Sequence, residues 1–455
     1  MSSLYSDIDL PEITEARKDE LYLYSIKKLA ETNVESNRQT VTGLYNIRAF
    51  HYLADQELRN NPHIKFAVIT VDIANFKSIN EFLGRDGGDA LLCHIARVLE
   101  KHCVEHSVLS QFRADIFTLL QPCKDKEEII NLVNTIADEI DSFKMNFKCL
   151  PAFGICEVYD STIPVSTYRD YAAMALKTIK GKFYAKYAFY DEKMRQEMLR
   201  EKQIENDVVD ALKDNQIKAF IQPKIDMRTG EIIGGEALVR WIHPQRGIIP
   251  PVEFIPTLEK NGLIIDLDIC VWNQIFEMQS NRIRSGMPVV PVSINISRIH
   301  AYDSTFRDYL VNLSEKYGVN PSLVPLELTE SCFIDKADEM YENMQYLKSK
   351  GFMISMDDFG TGYSSMTMLK DHPVDEIKID KGFIDDIDNP SERIMVNSMI
   401  TMLTALGKKI IVEGVEDKKQ QDFLIESGCT SAQGFLYHKP MPMPEFENML
   451  NETNK

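Results

Sequence analysis

Short apolar runs alternate with amphipathic stretches of helical length along most of this chain. From residue 217 onward we count eight strand-like runs, and from the second run onward each gap is long enough for a helix. The runs are Ile217–Asp226, Glu231–Trp241, Val289–Ser297, Val324–Glu330, Phe352–Asp358, Glu376–Lys381, Lys408–Val415 and Thr430–Leu436. Eight strands joined by helical crossovers predict a (β/α)8 barrel. Only Met227–Gly230 separates the first two runs, so we expect those two strands to be antiparallel.

Residues 39–190 also alternate between strand and helix patterns, which predicts a second, smaller α/β domain. The expected strands are Lys65–Asp72, Phe112–Leu120 and one or two within Met145–Tyr159. The expected helices are Arg48–Asn60, Gly88–His102, Lys126–Ser142 and Tyr168–Lys180. We therefore interpret the chain as a helical extension (1–38), the α/β domain (39–190), a charged linker helix (191–214) and the barrel (215–455). The linker helix is interpreted as solvated, with transmission of a signal between the domains as the alternative.

Composition and charge narrow the classes of partner. The 455 residues carry a net charge of −18, with 44% hydrophobic and 26% charged positions, which is typical of a folded chain. A general binder of DNA or RNA is basic, so polymer nucleic acid is not the expected partner. The eight cysteines include no CxxC pair, which argues against a common zinc site and favours a reducing compartment. We find neither a signal peptide nor an apolar run of membrane length, so a cytoplasmic protein without membrane contact is expected.

The stretch FMISMDDFGTGYSS at 352–365 ends an apolar run with two adjacent carboxylates, Asp357 and Asp358. Neighbouring side chains of a strand point to opposite faces, so both can reach one site only where the strand breaks. Gly360 and Gly362 supply that break. The two acids either cap the next helix or hold a divalent cation, and this stretch alone favours neither interpretation.

Polar groups that are unusual for a buried strand also occur on the other predicted barrel strands from the second to the eighth. They are Glu236, Arg240, Asn295, Glu327, Glu330, Lys378, Asp380, Glu413 and Gln433. Barrel enzymes carry their chemistry at the C-terminal ends of the strands, and buried carboxylates are costly unless they are paired or metal-bound. Four or five acids, one amide and one lysine therefore predict a site for two divalent cations, Mg²⁺ or Mn²⁺, suited to phosphodiester hydrolysis.

The run Glu236-Ala237-Leu238-Val239-Arg240-Trp241 resembles the signature of the EAL-domain cyclic di-GMP phosphodiesterases, and the resemblance covers about residues 204–450. Supporting motifs stand in the family's order. They are Gln222-Pro223, Asn295-Ile296-Ser297, Glu327-Leu328-Thr329-Glu330, Asp357-Asp358-Phe359-Gly360-Thr361-Gly362, Lys378-Ile379-Asp380, Glu413-Gly414-Val415-Glu416 and Gln433-Gly434-Phe435. The resemblance implies hydrolysis of cyclic di-GMP (c-di-GMP) to linear pGpG, and a homodimer formed through the barrel.

The same resemblance implies a role for each site residue. The residues expected to bind the first cation are Glu236, Asn295, Glu327 and Asp357. Asp357 is also expected to bind the second cation, together with Asp358. The implied catalytic pair that positions or activates water is Lys378 and Glu413, with Glu413 as the candidate base. The residues implied at the substrate are Gln222, Leu238, Arg240 and Gln433. The loop at 357–365 is associated in the family with cation binding and dimer contact. No position departs from the family's pattern, so an active enzyme is expected.

The earlier domain resembles a GGDEF diguanylate cyclase domain over about residues 39–191. The resemblance rests on Val41-Thr42-Gly43-Leu44-Tyr45-Asn46, Asp72-Ile73-Ala74-Asn75-Phe76-Lys77, Asn80 and Gly88-Asp89. The motif that names the family falls at 113–117 and reads RADIF, so both glycines are absent and Ile116 replaces the glutamate needed for catalysis. Lys180 matches a phosphate-contacting lysine, whereas Tyr184 stands where the family has arginine. We expect no c-di-GMP synthesis from this domain.

Two roles stay open for the earlier domain. The retained residues favour binding of GTP, and they are Asp72, Asn80, Asp89 and Asp115. The lost glycines favour a structural or dimer-forming part instead, because side chains now occupy the space against the nucleotide. For the barrel, the alternative to a hydrolase is a receptor that binds c-di-GMP without cleaving it. The complete acidic set favours the hydrolase, since a receptor does not require it.

Overall fold

A computed structural model of the chain describes residues 37–113, 115–143, 149–182, 185–301, 303–333, 337–360 and 372–453. The chain divides into two compact units between Leu199 and Arg200. The predicted helix of the extension, Tyr184 and the 361–365 part of the predicted loop lie outside the described residues. No helix among the described residues combines the length and apolar character needed to cross a bilayer.

The first unit is a five-stranded sheet with helices. Its elements are α1 (Ile47–Asn60), β1 (Phe66–Ile73), α2 (Phe76–Lys101), β2 (Val108–Arg113), β3 (Ile116–Pro122), α3 (Lys126–Asp141), β4 (Pro151–Glu157), α4 (Val165–Ile179) and β5 (Tyr187–Phe189). The strand order is β2-β3-β1-β4-β5, and only the β4–β5 pair is parallel. All eight residues of β1 are buried, as expected for a central strand covered on both faces.

The second unit begins within α5 (Glu192–Lys213) and consists mainly of a barrel. Its elements continue as β6 (Ile217–Asp226), β7 (Ile232–His243), β8 (Gly247–Ile249), α6 (Pro251–Asn261), α7 (Ile264–Arg284), β9 (Val292–Asn295), α8 (Arg298–Ala301), α9 (Ser304–Tyr317), β10 (Leu326–Thr329), α10 (Ala337–Ser349), β11 (Ile354–Phe359), β12 (Glu376–Ile379), α11 (Pro390–Ala405), β13 (Lys409–Val412), α12 (Lys418–Glu426), β14 (Ser431–Ala432), β15 (Met441–Pro442) and α13 (Met443–Thr453). Short 3₁₀ turns lie at Pro321–Leu323, Glu330–Phe333 and Lys381–Phe383.

Eight strands close the barrel in the order β6-β7-β9-β10-β11-β12-β13-β14, and β14 returns to β6. The β6 strand is antiparallel to both neighbours, and the other neighbouring pairs in the ring are parallel. The predicted barrel and its antiparallel first strand are therefore confirmed. Because seven strands run in one direction, their C-terminal ends meet at a single mouth, which is where the predicted site residues fall.

Two predictions for the first unit were wrong. Phe112–Leu120 is not one strand but a hairpin, because β2 ends at Arg113 and β3 begins at Ile116. No glycine marks this turn, so the apolar pattern runs through it. The helix predicted at Gly88–His102 begins earlier, at Phe76, and is kinked at Gly84, where φ is 73°.

The last barrel strand was also predicted too long, at Thr430–Leu436. It contains only Ser431 and Ala432. Gly434 explains the early end, because a Cβ atom there would lie 2.1 Å from the carbonyl oxygen of Val415. The chain crosses the backbone after β13 at this point instead of continuing the ladder.

Candidate active site

The ammonium group of Lys378 lies at the centre of the barrel mouth, and its side chain is 1% exposed. Nζ lies 2.6 Å from Glu413 Oε1 and 2.9 Å from Glu327 Oε2. It also lies 3.1 Å from Asp357 Oδ1 and 3.2 Å from Glu236 Oε2. The four carboxylates come from β7, β10, β11 and the end of β13. Strands distant in sequence thus converge on one lysine, and we call these five residues together with Asp358 the acid cluster.

Asp358 reaches the cluster because β11 breaks where the sequence predicted. Asp358 has a φ of 56°, a left-handed conformation that is uncommon outside glycine. The register between β11 and β12 shifts between Met356 and Phe359, which is an irregularity of the bulge type. Ligand atoms of Asp357, Asp358 and Glu413 consequently all lie within 4.8 Å of one another. The distorted strand end turns adjacent carboxylates toward one site.

Glu236, Glu327 and Asp357 form a second group whose ligand oxygens also lie within 4.8 Å of one another. Asp357 belongs to both groups, which is the sharing expected of a residue between two cations. Carboxylate oxygens are the donors that Mg²⁺ and Mn²⁺ prefer. The donor set of the described residues therefore fits two divalent cations.

Amide side chains surround Glu236. Gln433 Nε2 donates to Glu236 Oε2 at 2.6 Å and to Gln222 Oε1 at 3.0 Å. Gln222 Nε2 in turn donates to the carbonyl oxygen of His438 at 3.0 Å. Asn295 Nδ2 approaches Glu236 Oε1 at 3.4 Å from the exposed end of β9. The three predicted amides therefore share one hydrogen-bonded network with a predicted cation ligand.

Burial and the lysines act against each other on the acids. Burial raises the pKa of Glu236 and of Asp357, and Lys378 opposes the rise in both. Burial would also raise the pKa of Glu327, but Lys224 and Lys378 overcome it and lower that pKa to about 2. Glu327 is therefore an anion throughout the physiological range, although its side chain has no exposed surface.

For Glu413 and Asp358, at the outer edge of the cluster, burial outweighs the effect of Lys378 on the pKa. Burial raises the pKa of Glu413 to about 8, even though Lys378 lies beside it. Burial also raises the pKa of Asp358, and Asp380 adds to the rise. Burial would lower the pKa of Lys378, but the surrounding carboxylates, led by Glu236 and Glu327, hold it well above its ordinary value. Lys378 is thus a permanent cation that neutralises one of the charges of the cluster.

Two residues that were predicted from sequence to contact the substrate, Arg240 and Leu238, lie beside the acid cluster and do not belong to it. Arg240 donates from Nη1 to the carbonyl oxygen of Val239 at 2.8 Å, and its guanidinium lies 5.9 Å from the ring centre of Phe220. Leu238 lines a cavity of about 410 Å³ beside the mouth. Arg240 and Leu238 follow Glu236 at alternate positions of β7 and so share its face of the strand.

Glu330 and Asp380 support the backbone around the cluster. Glu330 Oε2 accepts a hydrogen bond from the backbone N–H of Gly360 at 2.9 Å. Asp380 Oδ1 accepts one from Gly382 N at 2.9 Å and caps the 3₁₀ turn after β12. A Cβ at Gly360 would lie 2.5 Å from the Phe383 ring, so only glycine fits this close approach. The contacts of Gly360 with Glu330 and Phe383 hold the backbone directly after Asp357 and Asp358.

A second lysine, Lys224, is buried beside the cluster and was not among the predicted site residues. Lys224 Nζ lies 2.8 Å from Glu327 Oε1, 3.0 Å from Ser293 Oγ and 3.4 Å from Glu376 Oε1. A signal was present, because Lys224 follows Gln222 by two positions on β6 and must therefore share its face. Asp268 was missed as well: it lines the same cavity as Leu238, and burial raises its pKa to about 7.

The four candidate residues of the first unit form a looser arrangement. Asp72 Oδ2 lies 2.6 Å from Lys180 Nζ, and the side chains are 6% and 67% exposed. Burial raises the pKa of Asp115, with a further contribution from Asp72. Asn80 Oδ1 occupies the space beside Gly88, only 1.6 Å from the position of a hypothetical Cβ, and Asp89 follows on the same helix. The acids at the end of β1 and in the β2–β3 turn thus lie near each other, with one exposed lysine.

Comparison with known proteins agrees with this geometry. The family model of the EAL domain matches residues 205–440, and that of the diguanylate cyclase GGDEF domain matches residues 36–181. The chain belongs to the EAL domain family and carries a GGDEF domain ahead of its EAL domain. The barrel fold and the order of the two domains are therefore as the sequence motifs implied.

Relatives share most of this chain. The bifunctional diguanylate cyclase/cyclic di-GMP phosphodiesterase MucR of Pseudomonas aeruginosa is 30% identical over 383 residues, covering 83% of this chain and 56% of that protein. The cyclic di-GMP phosphodiesterase PdeR of Escherichia coli is 30% identical over 425 residues, covering 90% of this chain and 63% of that protein. The chain thus spans a little over half of these relatives' length.

A solved structure described as the phosphodiesterase of P. aeruginosa MucR in complex with c-di-GMP is also similar. It is 36% identical with a TM-score of 0.52, and the match covers 54% of this chain and 99% of that one. This share of the chain is close to that of the EAL family match, which covers residues 205–440.

Proposed function

We propose that the barrel hydrolyses c-di-GMP to linear pGpG with two divalent cations, Mg²⁺ or Mn²⁺. The proposal rests on two sets of three acidic residues that have Asp357 in common. In each set the ligand oxygens all lie within 4.8 Å of one another. The chemistry of relatives named as cyclic di-GMP phosphodiesterases supports the choice of substrate. When bound, the cations supply Lewis acidity to the phosphate and to the attacking water.

In this proposal Glu236, Asn295, Glu327 and Asp357 hold the first cation, and Asp357 and Asp358 hold the second. Four residues around Glu236 would bind the substrate: Gln222, Leu238, Arg240 and Gln433. The Arg240 guanidinium would clamp a phosphate oxygen, a role that suits its forked donors. The site would therefore fix one phosphodiester group at the mouth of the barrel.

The proposed reaction adds one water to one phosphodiester bond. The water oxygen forms a bond to phosphorus while the bond from phosphorus to the 3′ oxygen breaks, which leaves pGpG with a 5′ phosphate. The charge of bound cations would oppose the burial that raises the pKa of Glu413, so that its carboxylate is ionised and accepts one proton of the water. The contact with Lys378 at 2.6 Å orients this carboxylate, and the departing 3′ oxygen takes up a proton from solvent. Lys378 also carries the positive charge that faces the phosphoryl group.

Incubation of the purified protein with c-di-GMP and Mg²⁺ or Mn²⁺, followed by chromatography, tests the proposal. The expected product is pGpG, and none should form when a chelator is present. Binding of c-di-GMP without any product in either metal would contradict hydrolysis and assign the receptor function. Sedimentation of the same sample tests the predicted homodimer; a cytoplasmic location also stays a prediction.

We further infer that the GGDEF domain of this chain does not synthesise c-di-GMP. The support is Ile116, which pairs directly with Asp72 across the β1–β3 ladder where a second acid would be needed. Calorimetry with GTP and Mg²⁺ decides between the two remaining roles. Heat of binding would assign regulation by nucleotide, supported by Asn80 and Asp89, whereas no heat at millimolar GTP would assign a structural role. Formation of c-di-GMP from GTP would contradict the inference.

A further inference from the structure

The second buried lysine enters the barrel from below the acid cluster. Lys224 lies on β6, which runs antiparallel to β7 and pairs Gln222 with Glu236. Two residues further along, its side chain points to the same face at a deeper level, where it is 6% exposed. The ammonium group donates to Glu327, Ser293 and Glu376, which satisfies all three of its N–H bonds. Such a fully bonded cation fixes the groups it touches.

The two oxygens of Glu327 are divided between two lysines. Oε1 accepts from Lys224 at 2.8 Å, and Oε2 accepts from Lys378 at 2.9 Å. Oε2 therefore faces the acid cluster, whereas Oε1 faces the lower layer of the barrel. The Glu327 side chain is completely buried, so no solvent competes with either contact. Only one oxygen of this carboxylate is turned toward the cluster.

The two lysines differ in what happens to their contacts when a cation binds. Lys378 bonds the same oxygens of Glu236, Glu327 and Asp357 that face the cluster, so its contacts compete with those of a cation. Lys224 bonds Glu327 on the opposite oxygen, so its contact persists. Lys224 is thus the lysine that can hold this ligand in place both with and without the cation.

We propose that Lys224 is a positioning residue that restricts Glu327 to one-oxygen binding of a divalent cation, through Oε2. This inference rests on the proposed two-cation site. Groups that hold a metal ligand from behind orient it, and removing one commonly weakens metal binding by about 10- to 100-fold. Without Lys224, Oε1 loses its hydrogen-bond partner and the Glu327 carboxylate is free to rotate, so neither oxygen is held in a fixed position toward the cluster.

Glu376 provides the matched control. It accepts from Lys224 at 3.4 Å and from Ser355 Oγ at 3.0 Å, so it lies in the same buried layer. Its side chain lines the cavity of about 460 Å³ at the opposite mouth of the barrel, away from the acid cluster. Glu376→Gln disturbs the lower layer but leaves the Lys224–Glu327 contact in place.

Calorimetric titration of the full chain with Mn²⁺ alone tests the inference without any assay of hydrolysis. We expect Lys224→Met to raise the Kd for Mn²⁺ by about 10-fold or more, and Glu376→Gln to change it by less than about threefold. The double variant, Lys224→Met with Glu376→Gln, removes both charges of the buried Lys224–Glu376 pair. We expect it to regain part of the Tm lost by Lys224→Met while it keeps the weakened Mn²⁺ binding.

Each other outcome has a definite meaning. Unchanged Mn²⁺ affinity in folded Lys224→Met, or full recovery of affinity in the double variant, would overturn the inference and leave Lys224 a purely structural role. Failure of both the single and the double variant to fold would assign Lys224 to barrel stability and overturn it as well. Wild-type protein that binds no Mn²⁺ would contradict the proposed function itself, so the two failures are distinguishable.

Discussion

Acids meet a lysine in both units, but the balance of charge differs. In the barrel, Lys378 serves four carboxylates and is 1% exposed. In the first unit, Lys180 contacts one acid, Asp72, and is 67% exposed. Buried like charges repel one another unless a counter-charge is present, so an excess of buried acids over lysines favours the binding of a cation. The barrel cluster therefore has the charge pattern that suits a cation, whereas in the first unit an exposed lysine pairs with Asp72, and Asp115 lies nearby.

The largest expected effect is on the rate of c-di-GMP hydrolysis, and it is tested with one substitution in each unit. Glu236→Ala removes an acid from the proposed cation site, and we expect it to abolish hydrolysis of c-di-GMP. Asp72→Ala removes the ion-paired acid of the first unit, and the rate measured without GTP should stay within about twofold, as for changes away from a site. Chromatographic assay of pGpG checks both. Equal losses in the two variants would contradict the contrast between the units.

The next effect concerns chemistry rather than cation binding. Glu413→Gln keeps the shape of the side chain but removes the proton acceptor, so kcat should fall by about 10²- to 10⁴-fold. The KM for c-di-GMP should change by only a few-fold, because Glu413 is not proposed to contact the substrate. Steady-state kinetics at saturating Mg²⁺ checks this split. An unchanged kcat would show that another group is the base.

A cation should also stabilise the folded barrel. If Mn²⁺ relieves repulsion among the acids, adding it at about 100 times its Kd should raise stability by about 2.7 kcal/mol. Thermal unfolding with Mn²⁺, and again after a chelator is added, checks this expectation. Glu236→Ala should show a much smaller rise in Tm. A rise of the same size in that variant would place the cation somewhere else.

The sequence predicted the barrel well because its signal is repeated. Eight apolar runs with room for crossovers fix the architecture even where single boundaries fail, as at β14. The hairpin turn before Ile116 was missed, because RADIF lacks the glycines that would mark it. Local sequence patterns thus predict strands better than they predict turns that contain no glycine.

The acids of the site were also found from sequence, because carboxylates at strand ends are conspicuous. Their partners were not. Lys224 lies inside strand β6, where the aliphatic part of its side chain fits an apolar pattern. The acids that pair with its charge are far away in sequence. The contact with Glu327 spans 103 positions, and the contact with Glu376 spans 152. Long-range pairing of this kind depends on the barrel register, which one sequence does not supply.

Asp268 differs from the acids of both units, because it is a buried acid of the barrel that lies outside the proposed cation site and is not paired with a lysine among the described residues. Burial raises its pKa to about 7. His300 Nε2 lies 3.6 Å from Asp268 Oδ2, but burial lowers the pKa of that imidazole, so it is neutral near pH 7 and supplies no counter-charge. The backbone N–H of Ser297 donates to Asp268 Oδ2 at 3.3 Å and opposes the rise in the pKa, but burial outweighs it. Protonation of the carboxyl group therefore reduces the cost of burying it.

The sign of the pH effect follows from the direction of the shift. A carboxyl group whose pKa is higher in the folded state binds more protons there, so stability falls as pH rises from about 4 to about 7. Asp268→Asn removes this dependence. Relative to wild type, the variant should gain about 2 to 3 kcal/mol in unfolding free energy between pH 5 and pH 8. Asp266→Asn, an exposed change two residues earlier on α7, should show no such gain. Urea unfolding at both pH values checks the difference, and a gain in Asp268→Asn no larger than that in Asp266→Asn would show that protonation of Asp268 does not contribute to the pH dependence of stability.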